Sequence, residues 1–222
     1  MKSVLITGAT SGLGESLAKS FISEYTVFCI GRNSKKLANL RDLGCQTLEV
    51  DFLQDDSWVQ NLSEFCPEVD ILINNAGIFP IKSLKQSSIS DYDECFKINV
   101  RAPFVLMKNY LEKMRKNGYG YVINILSSSA YNGSSDTGIY CASKHALLGM
   151  TRSAFLEYRG TGVRVCSVSP GSMQTPMGAT DKRQDFSTFI DVQEVVDFIQ
   201  NLVNLNSTMV IDEVRLNRAI IR

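Results

Sequence analysis

The sequence predicts an α/β protein, a doubly wound seven-stranded parallel sheet with helices on both faces. Three observations carry that expectation. Short β-rich runs alternate with longer helix-like stretches along 222 residues, the order that builds right-handed strand–helix–strand units. Several runs are apolar nearly throughout instead of alternating, as strands covered on both faces are. With 44% apolar and 21% charged residues, no low-complexity linker and no solenoid repeat, the chain is expected to form a single domain over 1–222.

The elements follow in order. "SVLIT" (3–7) is the first strand; the glycine-rich "TGATSGLG" and a helix in "LGESLAKSFISEY" come next. "TVFCI" (26–30) precedes the turn "GRN", and "QTLEV" (46–50) precedes Asp51, Phe52 and a helix in "DDSWVQNLSEF". "DILIN" (70–74) runs into "NNAG". The stretch from Asp91 to Asn117 reads as helix, with Pro103 early and Asn117–Gly118 as its C-cap. "YVINIL" (121–126) ends at Ser127–Ser129, "YCASKHALLGMTRSAFLEYRG" is a helix, "VRVCSVS" (163–169) leads into Pro170 and Gly171, and "MVIDEVRL" (209–216) is the seventh strand.

Lysine plus arginine and aspartate plus glutamate number 23 each, so no excess of one sign points to nucleic acid or anionic lipid. No apolar run approaches the ~18 residues of a membrane helix. The apolar part of the opening "MKSVLITGAT" is too short for a signal peptide, and a cytoplasmic protein is expected. Cysteines 29, 45, 66, 95, 141 and 166 form no C-x-x-C pair and read as small buried hydrophobes. His145 is the single histidine and is assigned a structural role, with no metal expected.

Doubly wound sheets bind ligands beyond the carboxyl ends of their strands, where strand order reverses. After the first strand, Gly8, Gly12 and Gly14 form G-x-x-x-G-x-G, with Thr10, Ser11 and Leu13 among them. Such glycines let the main chain and a helix N-terminus approach a pyrophosphate, and the placement between first strand and first helix argues for a dinucleotide site. After the second strand stands Arg32, with no acid for ribose hydroxyls, which favours NADP (NADPH) over NAD. After the fourth, Asn75 can brace the strand end while Ala76 and Gly77 leave room for a cofactor.

These features occur in the order found in the short-chain dehydrogenase/reductase family. The chain resembles its compact single-domain subgroup over residues 3–216, on "TGATSGLG", "NNAG", Ile98–Asn99, "INILSS" (123–128), "YCASK" (140–144) and "SPGSMQT" (169–175). The resemblance implies a Rossmann fold and NADP(H)-dependent interconversion of a carbonyl and an alcohol on a small molecule. It implies that Tyr140 passes a proton to the developing alkoxide while the nicotinamide delivers hydride. Lys144 would lower the phenol from its usual pH ~10 by its charge and would bond the nicotinamide ribose. Ser127, with Ser128 as the alternative register, would hold the substrate oxygen; Asn99 would bind a relay water. Pro170 and Gly171 would shape the nicotinamide side, and Thr175 would reach the carboxamide.

The pattern departs from the family in three places. Ser11 stands where many NADP-dependent members carry a second basic residue, which leaves dual specificity open. The lid between Thr175 and Val192 is short. The tail "RLNRAIIR" replaces a D-G-G ending and weakens the case for the family's tetramer. A homo-oligomer is expected, either a tetramer or a dimer through the helices holding Asn99 and Tyr140. Two rival readings are a nonenzymatic NADP(H)-binding regulator, which would normally show a damaged tetrad, and a sugar-nucleotide epimerase, which needs a larger C-terminal domain.

Overall fold

The computed structural model describes residues 1–205 and 208–219. Seven strands, β1 (Ser3–Thr7), β2 (Thr26–Gly31), β3 (Gln46–Glu49), β4 (Ile71–Asn74), β5 (Gly120–Ile125), β6 (Val163–Pro170) and β7 (Glu213–Leu216), form one sheet in the order β3-β2-β1-β4-β5-β6-β7. Every pairing is parallel. The doubly wound sheet expected from the sequence is therefore the one that forms, with strand order reversing between β1 and β4. β3 and β4 are each one residue shorter than expected, and the last strand is shorter by four: the apolar start of "MVIDEVRL" stays outside β7. Met209 and Val210 are exposed, at 64% and 48%.

The helices are α1 (Gly12–Phe21), α2 (Ser34–Asp42), α3 (Ser57–Phe65), α4 (Ile89–Phe96), α5 (Ala102–Asn117), α6 (Gly138–Tyr158) and α7 (Val192–Asn204). Neighbouring residues of β1 explain the apolar strands. Val4 and Ile6 pack with Leu13, Leu17 and Phe21 of α1 and Ile199 of α7, whereas Leu5 joins Leu106, Tyr110 and Met114 of α5 on the opposite face. A strand buried on both sides has no position for a polar residue. α1 ends before the expected "SEY" because the Glu24 and Tyr25 amides both turn back to the Phe21 carbonyl.

α4 and α5 form one continuous run joined by a π-helical turn, Lys97–Arg101. Pro103 accounts for it. Proline has no N–H to give the carbonyl four residues back, here that of Asn99, and a wider turn relieves the mismatch. At the other end Gly118 adopts φ 68° and its amide bonds the Arg115 carbonyl, while the Tyr119 amide reaches Met114. This is the glycine C-cap that the sequence predicts.

Candidate active site

The loop after β1 and the loop after β4 are stitched together at the reversal point. The Thr7 hydroxyl accepts from the Asn75 and Ala76 amides at 2.9 and 2.8 Å, and Asn75 Nδ2 donates to the Thr7 carbonyl at 2.9 Å. Gly8 and Gly12 have φ of 65° and 52°, the left-handed region in which glycine avoids a side-chain clash. A Cβ at Gly14 would lie 2.5 Å from Asn75 Nδ2 and closer still to the Gly8 carbonyl oxygen. The three glycines thus serve a tight turn pressed against a neighbouring loop.

Of the expected cofactor residues, Gly8, Thr10, Arg32, Asp51, Phe52, Ala76 and Gly77 line one cavity of about 150 Å³ together with Ile78 and Ile98. Arg32 is exposed, and among the described residues no carboxylate lies within 4.0 Å of it. Asp51 Oδ1 accepts from the Leu53 amide, and the Phe52 ring meets Trp58 edge-on at 4.9 Å. Ser11 is the exposed N-cap of α1. Leu13 and Gly14 are buried, Leu13 in the core. The Leu13 side chain therefore faces away from any ligand, and only its main chain could contribute.

Ser127, Tyr140, Pro170, Gly171 and Thr175 line a second cavity of about 640 Å³, a size typical of small-molecule sites. Ser127 follows β5 in extended conformation and its hydroxyl also accepts from the Ser129 amide at 3.1 Å. Ser128 lines the same cavity, but it is the Ser127 hydroxyl that acts to lower the Tyr140 phenol's pKa. Gly12 packs against a wall of the larger cavity, where an added Cβ would lie 3.1 Å from Thr175 Cγ2.

Lys144 and Asn99 stand behind Gly77 and line neither cavity. A Cβ on Gly77 would be 3.3 Å from Asn99 Oδ1 and 3.8 Å from Lys144 Nζ. Asn99 sits in the π turn, fully buried. Its Oδ1 accepts from the Ile78 amide at 2.9 Å, and its Nδ2 donates to the Ile78 carbonyl and to Ser143 Oγ, each at 3.0 Å. Ser143 in turn donates to the Tyr140 carbonyl at 2.7 Å. The π turn, the loop after β4 and α6 are thereby joined through one buried amide.

Electrostatics depart from the expectation drawn from the Tyr140–Lys144 spacing. Burial pushes the Tyr140 phenol up to about 12, against the opposing influence of the Ser127 hydroxyl. Burial also pulls the Lys144 ammonium down to about 8. Lys144 Nζ donates to the Ile125 carbonyl at 2.9 Å and lies 5.7 Å from the Tyr140 ring centroid. At that separation the cost of desolvating a phenolate outweighs the pull of the cation, so the predicted lowering gives way to a rise.

Sequence reasoning missed several residues here. Phe79 meets the Tyr140 ring edge-on at 4.7 Å, Thr7 acts through long-range hydrogen bonds, and Ser143 ties Asn99 to the Tyr140 carbonyl. Asp181, Arg183 and Arg218 also line the larger cavity. Thr7 lies in "TGATSGLG", Ser143 in "YCASK" and Phe79 two residues beyond "NNAG", so for these three position alone gave a signal.

The family model described as short chain dehydrogenase matches residues 2–185. An uncharacterized oxidoreductase of Thermotoga maritima is 35% identical over 182 residues, spanning 78% of this chain and 72% of its own. The 3-oxoacyl-(acyl-carrier-protein) reductase of Rickettsia felis is 33% identical, covering 87% of this chain and 81% of its own. Among solved structures, a 4-hydroxyisoleucine dehydrogenase complexed with NADH superposes with a TM-score of 0.89 at 25% identity, over 98% of both chains. Members of this family are oxidoreductases that bind NAD(P)(H) and act on small molecules. Parallel sheet, glycine turn at the strand reversal and matched sequence agree: the chain belongs to the short-chain dehydrogenase family.

Proposed function

We propose that the chain, acting as one catalytic unit over 1–222, is an NADPH-preferring oxidoreductase that interconverts a carbonyl and an alcohol with Ser127, Tyr140, Lys144 and Asn99 as its tetrad. The observation that carries this reading is the Ser127–Tyr140 pair lining a cavity of about 640 Å³ that adjoins the glycine turn at Gly12 and Thr175.

The residues present fit a dinucleotide. The open cavity over Gly8, Thr10, Arg32, Asp51, Phe52, Ala76 and Gly77 suits the adenosine half, and the main chain of Ser11, Gly12, Leu13 and Gly14 at the start of α1 suits a diphosphate. Asn75 would hold the loop in shape, Pro170, Gly171 and Thr175 would flank the nicotinamide, and Tyr140 and Lys144 would reach its ribose. Exposed Arg32 supports NADP, since a guanidinium matches the 2′-phosphate.

When bound, the reduced nicotinamide supplies hydride, and with it two electrons, to the carbonyl carbon. Tyr140 gives its phenolic proton to the carbonyl oxygen, and a phenol raised to about 12 is held ready as that acid at neutral pH. Ser127 donates a hydrogen bond to the same oxygen and supports the charge growing there. Lys144, anchored on Ile125, supplies positive charge as the phenolate forms, and Asn99 would link it to the proton supply. Alcohol oxidation reverses each transfer.

Six free, buried cysteines support a cytoplasmic location. Among the described residues no helix is long and apolar enough to cross a membrane. A homodimer through the α4–α5 run and α6 belongs to the proposal; exposed Phe104 and Leu156 on those helices support it.

The test is NADPH consumption against a carbonyl panel by wild type and Tyr140→Phe. Turnover should fall with the hydroxyl removed while NADPH binding persists. Equal behaviour of the two proteins would overturn the reading.

A further inference from the structure

Three charged side chains line the larger cavity: Asp181, Arg183 and Arg218. Two of them neutralise each other. Arg183 Nε and Nη2 bond the two Asp181 oxygens at 2.7 and 3.0 Å, and Nη1 reaches the Ser135 carbonyl at 3.1 Å with the Asp136 carboxylate 3.6 Å away. That pairing holds the Asp181 carboxyl well below its usual range.

Arg218 is fixed differently. It lies two residues beyond β7, its Cγ 3.8 Å from where a Gly171 Cβ would stand. Nη1 donates to Thr188 Oγ1 at 3.2 Å, Nη2 donates to Gln184 Oε1 at 2.8 Å, and the guanidinium lies 5.2 Å over the Phe189 ring. Gln184 is itself held by Asp181 at 2.8 Å. All of these direct contacts to Arg218 are neutral. Among the described residues no carboxylate lies within 4.0 Å of its guanidinium. With Arg183 paired to Asp181, Arg218 is, among the described residues, the lining charge without a carboxylate partner, and it stands beside the nicotinamide-side glycine.

A half-buried guanidinium has five N–H donors in a fixed fork that matches a carboxylate, and neutral partners take only two of them here. The same fork also fits a phosphate, but a carboxylate's single charge is the one that this cation balances fully. We propose that Arg218 reads a carboxylate on the substrate, so that the substrate is an oxo acid, or the hydroxy acid it becomes. This proposal rests on the oxidoreductase reading for the reaction, but its ligand can be tested without turnover.

The experiment pairs acetoacetate, levulinate and 2-oxobutanoate with their methyl esters, using the full chain as wild type, Arg218→Gln and Arg218→Lys. Wild type should favour at least one acid over its ester in kcat/KM by about tenfold to a hundredfold, the scale of a charge-assisted pair. In Arg218→Gln that ratio should fall toward one, with the loss carried mainly in KM; Arg218→Lys, which keeps the charge and the stem, should recover part of it. Wild type turning over acids and esters alike would overturn the carboxylate and leave the oxidoreductase intact. If no compound turns over, the oxidoreductase reading falls and a binding arm decides the rest. In the presence of NADP, succinate but not dimethyl succinate should raise the melting temperature of wild type and Arg218→Lys, and not that of Arg218→Gln. Equal responses of all three proteins to succinate would sink the proposal.

Discussion

Lys144 Nζ donates to the main-chain oxygen of Ile125 at 2.9 Å, which pins a buried cation on α6 to the last residue of β5. The ammonium is pulled down to about 8 by burial, so below that pH the folded state carries a charge it solvates poorly. Its ordinary value is 10.5. Between the two values the unfolded chain binds more protons than the folded one, and stability contributed at this site rises with pH. Lys144→Met removes that dependence. Relative to wild type, the variant should be more favoured at pH 7 than at pH 10.5 by about 3 kcal/mol. Urea denaturation at both pH values measures the difference; a pH-independent difference would contradict it.

The raised Tyr140 phenol predicts an asymmetry between directions. Carbonyl reduction needs the protonated form, which dominates throughout pH 6–9 if the phenol titrates near about 12, so its rate should fall there only as Lys144 loses its charge near about 8. Alcohol oxidation needs the phenolate, whose fraction grows about tenfold per pH unit below the pKa. Pre-steady-state rates in both directions give the check, and an oxidative plateau near neutrality would contradict it. Tyr140→Phe should lose about 10²–10⁴ in kcat.

Arg32→Asp replaces the exposed cation of the smaller cavity with a carboxylate. The kcat/KM ratio for NADPH over NADH should drop at least about tenfold. An unchanged ratio would remove Arg32 from cofactor selection.

Gly14→Ala forces a methyl group against the Gly8 carbonyl and Asn75. Overpacking of this kind costs about 1–3 kcal/mol, and the strain falls on the turn proposed to hold the diphosphate. Calorimetry should show the lower melting temperature, with weaker cofactor binding beside it.

Asn99→Ala removes the partner of both polar groups of the Ile78 main chain. Each orphaned group, partly buried here, costs up to about 1–3 kcal/mol. Denaturant titration should find the loss, and hydrogen exchange should show the Ile78 amide opening faster than those of β4.

The sheet was legible because a strand covered on both faces betrays itself residue by residue, as Val4, Leu5 and Ile6 do. Gly118 was equally readable through its own backbone chemistry, whereas the π turn before Pro103 was not read from the sequence. The glycine turn could be placed from its position between strand and helix. What stayed hidden depends on distance in three dimensions. Thr7 and Ser143 matter only because chain segments 68 and 44 residues away arrive beside them. Arg218 looked like part of an atypical tail until β7 carried it to the cavity; the last three residues of that tail lie outside the described residues. The spacing of Tyr140 and Lys144 revealed their shared helix face, but spacing carries no information about desolvation, and desolvation sets the direction of both shifts.

Gly12 lies against Thr175, so the turn proposed to receive a diphosphate has a wall made by residues encoded some 160 positions later. During synthesis, β1 and its glycines leave the ribosome long before that wall exists. A nascent chain stopped short of β6 therefore displays an unfinished nucleotide cradle, and cofactor can assist folding only near the end of translation.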